Sequence, residues 1–365
     1  MPDLIITSVT PNLKTGRGVR TYGVTAALAE HHRVEVAYAV FDWPTPAPEY
    51  EALPNVTFRP LEVSRGTARA VVYLRTRLRG VPGGFARGVS PELGQAAEGQ
   101  PADVRVIADG PTVAAALLPL ARRRPVVYLA HNLESSFRTD RAGVLARFER
   151  RLLRTFSESW MATRADERGA IELAGEPART RYVPNVVDVA AIEPVGRMGG
   201  ERAVFVGDFT YPFNREALAF LADQVLPRVW KRRPGLRLAV AGRGAGDLDL
   251  DERIEILGFV ADLRSAYDGA DLAVVPLLHG GGSPLKFVEA FAFGLPVVAT
   301  DHAARLIEDG EPGTHFLSAG GPQEFADAVE RLLTEPALGA RLAAAGRELV
   351  ERSYSTQALA RLLAS

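Results

Sequence analysis

Chemistry concentrates in one stretch of the sequence, His279-Gly-Gly-Gly-Ser-Pro-Leu-Lys-Phe-Val-Glu289. A short apolar run ends before it and a helically periodic run follows, so it reads as a strand-to-helix turn. Ser283 suits the N-cap and Pro284 the first helical position, where a missing N–H is harmless. Gly280, Gly281 and Gly282 strip the turn of side chains and let backbone amides approach a ligand closely. Lys286 then falls in the first helical turn, where the macrodipole is positive and a cation is disfavoured. A capping box would place Glu or Gln there. The lysine is explained if a dianionic group such as phosphate occupies the helix N-terminus. Glu289 projects from the same face three residues on, where a carboxylate can accept hydrogen bonds from ribose hydroxyls. The plain alternative, a Gly-rich turn before a solvated Lys–Glu pair, leaves the wrong-signed lysine unexplained.

Four further places carry candidate chemistry. Thr15-Gly16-Arg17-Gly18-Val19-Arg20-Thr21 follows the first apolar run and opens a helix. It reads equally as a tight turn or as an anion site, since Arg17 and Arg20 sit at a positive helix end. His131 and Asn132 close an apolar run, at the strand edge where ligands gather in open α/β sheets; a lone histidine is also often structural. Asp109-Gly110-Pro111-Thr112 is another strand-to-helix turn at the same edge. Arg65, Arg69, Arg75, Arg77, Arg79 and Arg87 fall in a stretch with no acid between Glu62 and Glu92. That run is either a solvated helix face or a surface for an anionic acceptor or an anionic membrane.

These groups need a frame to hold them. Short Val- and Ile-rich runs alternate with helical segments, the pattern of βαβ units and parallel sheets. Strands are expected near 4–9, 34–41, 56–59, 104–108, 126–130 and 159–163, with helices near 19–30, 67–78, 112–123, 143–156 and 165–173. Residues 189–200 lose the period and collect Pro194, Gly196, Gly199 and Gly200, as a linker does. A second series follows, with strands near 203–206, 238–241, 254–257, 272–276 and 296–299. Its helices are expected near 215–230, 262–268, 285–293, 323–333 and 336–353. The expected division is 1–190, 201–350 and a C-terminal helix at 351–365 crossing back to the first domain, with 189–200 as hinge.

Bulk properties narrow the classes. The 365 residues suffice for two cores. A net charge of −1 argues against a general nucleic-acid binder. The absence of cysteine removes disulfides, thiolate metal sites and cysteine nucleophiles. The opening residues lack a basic n-region and no apolar run approaches the ~20 residues of a spanning helix. A cytoplasmic protein is expected, with membrane contact at most peripheral.

The residues now in view resemble a family. Gly280–Glu289 followed by Pro296-Val-Val-Ala-Thr300 is similar to the donor-site signature of retaining GT-B glycosyltransferases of the family 4 type. Phe205-Val-Gly207-Asp-Phe, Val240-Ala-Gly-Arg243-Gly, Ile256-Leu-Gly-Phe-Val-Ala-Asp262 and Ala270-Asp-Leu-Ala-Val-Val-Pro276 resemble that domain's other strands and loops in order. The resemblance implies an α/β GT-B fold, two Rossmann-like domains facing each other across a cleft. It implies that Gly281, Gly282, Ser283, Pro284 and Leu285 meet a nucleotide sugar's diphosphate, with Lys286 neutralising it and Glu289 on the ribose. Phe259, Val260 and Leu263 would lie along the base, Arg243 would reach the phosphates, and Gly207 would flank the donor. Gly16, Arg17 and Gly18 would approach the donor from the first domain. His131 would act at the reacting carbon, with Asp109 and Asn132 on the acceptor side. The matching position eight residues before Glu289 is often a glutamate that holds the donor sugar; here it is Gly281.

The expected activity is hexosyl transfer with retention from a nucleotide sugar to a carbohydrate, lipid-linked or other small-molecule acceptor. No cofactor and no metal are expected, because no Asp/His cluster suggests a cation site. Other readings stay open: a non-catalytic GT-B protein binding a nucleotide or partner, and a GT-B epimerase or phosphorylase. A nicotinamide dehydrogenase fits poorly, because Gly16-Arg-Gly18 lacks the third glycine of the dinucleotide fingerprint.

Overall fold

A computed structural model describes residues 2–40, 45–64, 66–137, 142–176, 178–196, 199–246, 248–260, 262–280 and 285–364. Gly281, Gly282, Ser283, Pro284 and Arg65, singled out above, lie outside the described residues. The chain divides into two compact units, Met1–Val186 with Leu359–Ser365, and Val187–Ala358.

The first unit is built on a wholly parallel sheet of seven strands: β1 Asp3–Thr7, β2 Val34–Val40, β3 Val56–Glu62, β4 Arg105–Asp109, β5 Val126–Leu129, β6 Glu158–Met161 and β7 Thr180–Tyr182. Their spatial order is β3-β2-β1-β4-β5-β6-β7. Both faces are covered, which is why the central strands read as unbroken apolar runs. Successive residues of β1 feed opposite cores. Leu4 and Ile6 pack with Ala108, Tyr128 and Met161, while Ile5 packs with Val36, Ile107 and Trp160. Because the order reverses between β1 and β4, a crevice opens beyond their carboxyl ends.

The second face is completed from far away in sequence. Leu359, Ala360 and Leu363, from the helix Thr356–Ala364, are buried with Ile5, Val36 and Trp160. The two leucines alone contribute roughly 3–6 kcal/mol by burial.

The second unit has six parallel strands: β8 Arg202–Val206, β9 Arg237–Ala241, β10 Ile254–Gly258, β11 Leu272–Val275, β12 Val297–Thr300 and β13 Leu317–Ala319. Their order is β10-β9-β8-β11-β12-β13, so the reversal falls between β8 and β11. The helix Leu285–Ala292 follows β11 and is buried along Phe287, Val288, Ala290 and Phe291.

The division does not fall in the expected linker. Val189 and Val195 are buried in the second unit's core. Arg347 clasps this segment, donating to the carbonyls of Val189 (3.2 Å), Ile192 (2.9 Å) and Ala292. Loss of apolar period and the Gly/Pro cluster marked an irregular segment, but irregular backbone can be packed when side chains satisfy its carbonyls. The chain passes between units at Val186/Val187 and again at Ala358/Leu359. Val187 is bridged to Ser355, with Val187 N donating to Tyr354 O (3.0 Å) and Thr356 N to Val187 O (3.2 Å).

Candidate functional site

In the first unit, three segments converge at the crevice between β1 and β4. The helix Gly16–Ala29 starts with Thr15 as N-cap, its hydroxyl accepting from Gly18 N (3.1 Å). Gly18 is required by packing, because a Cβ there would lie 1.8 Å from the carbonyl oxygen of Asn12. Gly16 is exposed at the first helical position. Arg17 Nη2 donates to Asp109 O (2.8 Å), Asp109 Oδ2 (3.1 Å) and Ser8 Oγ (3.2 Å). Thr21 Oγ1 reaches Asp109 Oδ1 at 3.2 Å.

Asp109 is 1% exposed and binds His131, with Nε2 2.6 Å from Oδ1. Burial alone would raise the carboxyl pKa. Arg17 and His131 outweigh it and hold Asp109 well below the usual carboxylate range. Burial pushes His131 below its ordinary value, and the charges of Arg17 and Arg20 add to that effect against the opposing pull of Asp109. A neutral imidazole beside an ionised carboxylate carries its proton on Nε2, which donates to Asp109. The lone pair is then on Nδ1, which is buried and without a partner among the described residues. Gly110, at φ +80°, leaves room for this arrangement: a Cβ would lie 3.2 Å from His131 Cδ2 and 3.3 Å from Arg17 Nη2.

Two expectations change here. Asp109 meets no open space; its carboxylate is enclosed by Arg17, Thr21 and His131, so it holds those groups in place. Arg20 is buried and pairs with protein acceptors: Val183 O and Asn185 Oδ1 (both 2.7 Å), Ala130 O (3.0 Å) and Trp160 O (3.2 Å). It ties the ends of β5 and β6 together, and desolvation lowers its pKa to about 10.

Asn132 is half-buried just after His131. The chain beyond it is held by two carboxylates that sequence reasoning missed. Asp166 accepts from Leu133 N (3.2 Å), and Glu149 accepts from Glu134 N (2.6 Å) and Ser135 N (2.9 Å). Both sit on helices remote in sequence, and no local motif announces them.

In the second unit the corresponding crevice brings together the ends of β8, β9 and β11. Gly242 lies at φ +136°, and a Cβ there would fall 1.6 Å from Gly207 O, so the two turns touch as only glycine allows. Lys286 Cε passes Gly207, 3.4 Å from where a Cβ would stand. Lys286 is partly buried and Glu289 buried, on one face of the helix Leu285–Ala292. Burial lowers the Lys286 pKa against the opposing charges of Glu289 and Asp208. Burial pushes Glu289 up to about 7, although Lys286 and a hydrogen bond from the Tyr267 hydroxyl both favour its ionised form.

Arg243 is engaged by Asp208 (Nη2–Oδ2, 2.7 Å), which also accepts from Thr210 N and Oγ1. Phe259 is half exposed, whereas Val260 and Leu263 pack against the core. Leu285 opens the helix. His302, another residue that sequence reasoning passed over, has Nε2 2.8 Å from Gly280 O and so holds the entry to 281–284. Among the described residues, no three His, Asp or Glu side chains gather as metal ligands.

The profile of the family "Glycosyl transferases group 1" matches residues 200–335, most of the second unit. The phosphatidyl-myo-inositol mannosyltransferase of Mycobacterium leprae is 34% identical over 185 residues, 47% of this chain and 48% of that protein. The D-inositol 3-phosphate glycosyltransferase of Frankia alni is 31% identical over 216 residues, 50% of this chain and 52% of its own length. The chain thus matches about half the length of these curated relatives. Among solved structures, Anabaena HepE in complex with UDP and glucose superposes with TM-score 0.70 at 14% identity, over 99% of this chain and 98% of that one. Sucrose-phosphate synthase from Thermosynechococcus elongatus gives 0.71 at 16%, over 100% and 98%. Two Rossmann-like units in succession give this chain the GT-B fold of those structures, and its second unit matches the glycosyl transferases group 1 profile over residues 200–335.

Proposed function

We propose that the chain transfers a hexosyl group from a nucleoside-diphosphate sugar to an acceptor hydroxyl, with retention at the anomeric carbon and without a divalent cation. The observation that carries this reading is Lys286, a partly buried cation in the first turn of the helix Leu285–Ala292, sharing a face with buried Glu289. A cation at a positive helix end is stabilised when a diphosphate lies there, and the carboxylate beside it suits a ribose. As the glycosidic bond breaks, negative charge grows on the leaving diphosphate. Lys286 and the helix dipole would stabilise that charge.

His131 presents a fixed lone pair at Nδ1 and would accept a hydrogen bond from a sugar hydroxyl. Asp109 is buried and paired with Arg17, Thr21 and His131, and the reading contains no covalent glycosyl-enzyme. The names of the mycobacterial and Frankia relatives specify phosphorylated inositols, which supports an acceptor bearing phosphate. A cytoplasmic site of action accompanies this reading. Gly281, in place of the family's glutamate, favours a second one: a non-catalytic nucleotide-binding protein.

The deciding experiment is a thermal-shift panel of UDP, GDP, dTDP and ADP with and without magnesium, followed by incubation with the matching nucleotide sugars. A metal-indifferent rise for one nucleotide, with its sugar transferred to an α- or β-anomer matching the donor, is the expected result. A rise without turnover selects the non-catalytic reading, and an epimerised donor selects an epimerase. No rise with any nucleotide removes the proposal.

A further inference from the structure

The turns after β8 and β9 are held together largely by backbone. The strands stay in register to their ends, where Val206 pairs with Ala241. Beyond them Gly207 N donates to Ala241 O (2.9 Å) and Phe209 N to Arg243 O (2.7 Å). Gly244, at φ +80°, adds to the lock, since a Cβ there would lie 2.9 Å from Thr210 N. Asp208 and Arg243 thus face each other from two turns that are fixed without their ion pair. The pair is 27 and 46% exposed, and a pair so wetted adds little to stability. It is better explained by what surrounds it.

Around it lies the crevice assigned above to a diphosphate. Lys286 Cε passes beside Gly207, the residue before Asp208. Asn214 packs at the same point, its Nδ2 donating to Asp208 O (2.7 Å). Asp208 is near enough to Lys286 for its charge to favour the lysine's ionised form. One acid therefore bears on both cations that the crevice offers to phosphate, Arg243 and Lys286. A crevice built only for tight phosphate binding would carry no such acid. Thr210 N (3.1 Å) and Thr210 Oγ1 (2.6 Å) donate to Oδ1, which leaves Oδ2 to Arg243 (2.7 Å). Burial would raise the Asp208 pKa, but the hydrogen bonds from Thr210 and Arg243 outweigh it and lower it. The acid stays charged when a phosphate approaches.

Charge separates donor from product at such a point. A nucleoside-diphosphate sugar carries about two negative charges, whereas the nucleoside diphosphate left after transfer carries close to three, because its terminal phosphate is freed. We propose that Asp208 selects between them: it holds Arg243 until a diphosphate arrives, then disfavours the more anionic product over the donor, which speeds product release. This deepens the transferase reading and rests on it. The repulsion acts through partly wetted space, so it weakens with salt and sets a modest ratio rather than an exclusion.

The test measures binding of a nucleoside, its diphosphate and its diphosphoglucose to the full chain, for uridine, guanosine, thymidine and adenosine. In Asp208→Asn the diphosphate should bind roughly five- to tenfold tighter, the diphosphoglucose roughly two- to threefold tighter and the nucleoside as before. Both gains should shrink as salt rises. Thr210→Val loosens the same turn but keeps the acid, and should leave the ratio of diphosphate to diphosphoglucose affinity at its wild-type value. Arg243→Gln should weaken both phosphorylated ligands. A ratio that Asp208→Asn leaves unmoved, or a nucleoside that tightens in step with its diphosphate, overturns the proposal while wild-type nucleotide binding keeps the transferase reading. So does unchanged affinity in Arg243→Gln. A Thr210→Val ratio that shifts as far as that of Asp208→Asn also overturns it, because the turn and not the charge would then be responsible. No binding of any nucleotide by the wild type and by Asp208→Asn removes both readings.

Discussion

The two crevices hold their charges in opposite ways. In the first unit Asp109 is surrounded by Arg17, Thr21 and His131, and each partner is supplied by the protein. The ionised carboxylate is favoured, the histidine is neutral, and Asp109 has its partners before any ligand arrives. In the second unit burial wins over the available partners. Lys286 is pushed down and Glu289 up to about 7, though they lie one turn apart. The contrast separates a pre-organised scaffold from a pair whose charge balance, in the proposed function, a ligand would complete. A diphosphate would restore the lysine's charge, and ribose hydroxyls would stabilise the carboxylate.

Breaking the ligand-completed side should show most in turnover. Lys286→Ala is expected to lower kcat by about 10²–10³-fold, the scale of losing one transition-state charge partner. Its melting temperature should stay near the wild-type value, because a buried cation is removed. A variant with near-normal turnover would remove Lys286 from phosphate binding.

Breaking the pre-organised side should show in stability. Asp109→Asn leaves Arg17 short of its counter-charge and frees His131. A loss of about 2–3 kcal/mol is expected by urea unfolding, below the full cost of a broken buried pair because Arg17 is a quarter exposed. An unchanged urea midpoint would show that the cluster does not hold the crevice together.

The subtlest distinction is the sign of the pH dependence. Glu289 titrates near 4.5 when unfolded and near 7 when folded. Across that window the native state binds the extra proton, so Glu289 makes stability fall as pH rises. His131 is shifted below 6.5, so the unfolded state binds the extra proton and stability falls as pH drops below 6.5. Glu289→Gln and His131→Gln should therefore alter the stability–pH curve with opposite slopes. Nucleotide affinity should rise through pH 7 in the wild type and lose that rise in Glu289→Gln. Slopes of the same sign would refute the contrast between the two crevices.

The central strands were legible because both sheet faces are buried, leaving runs such as Leu4-Ile-Ile6 and Val297-Val-Ala299 with no polar interruption. The edge strands β7 and β13 were not, since three residues carry no detectable period. Lys286 stood out in the sequence because its sign conflicts with the helix dipole, and His131 because it ends a strand. Arg20 satisfied the same helix-end logic as Arg17 and was misread. Three of its four partners are backbone carbonyls, which every residue possesses and no sequence pattern displays. Asp109 was placed at the correct edge, but its enclosure depends on Arg17 and Thr21 arriving from a helix some 90 positions earlier. The arginine run was legible as charge. That its helix, Thr67–Leu78, turns Leu74 and Leu78 outward could be seen only once the buried face was known.

The helix Thr356–Ala364 also has a consequence in time. Leu359 and Leu363 finish a core whose other members lie before residue 187. During synthesis at ~5–20 residues per second, those leucines are made roughly 10–35 s after Val186. Through that interval the face holding Ile5, Val36 and Trp160 is covered only in part, by Val24, Ala27 and Leu28 of the helix Gly16–Ala29, while the second unit is made. The chain is thus most exposed to aggregation and proteolysis late in its own manufacture. Ribosome stalling or early termination near residue 355 should yield a product whose second half is sound and whose first half is the target of quality control.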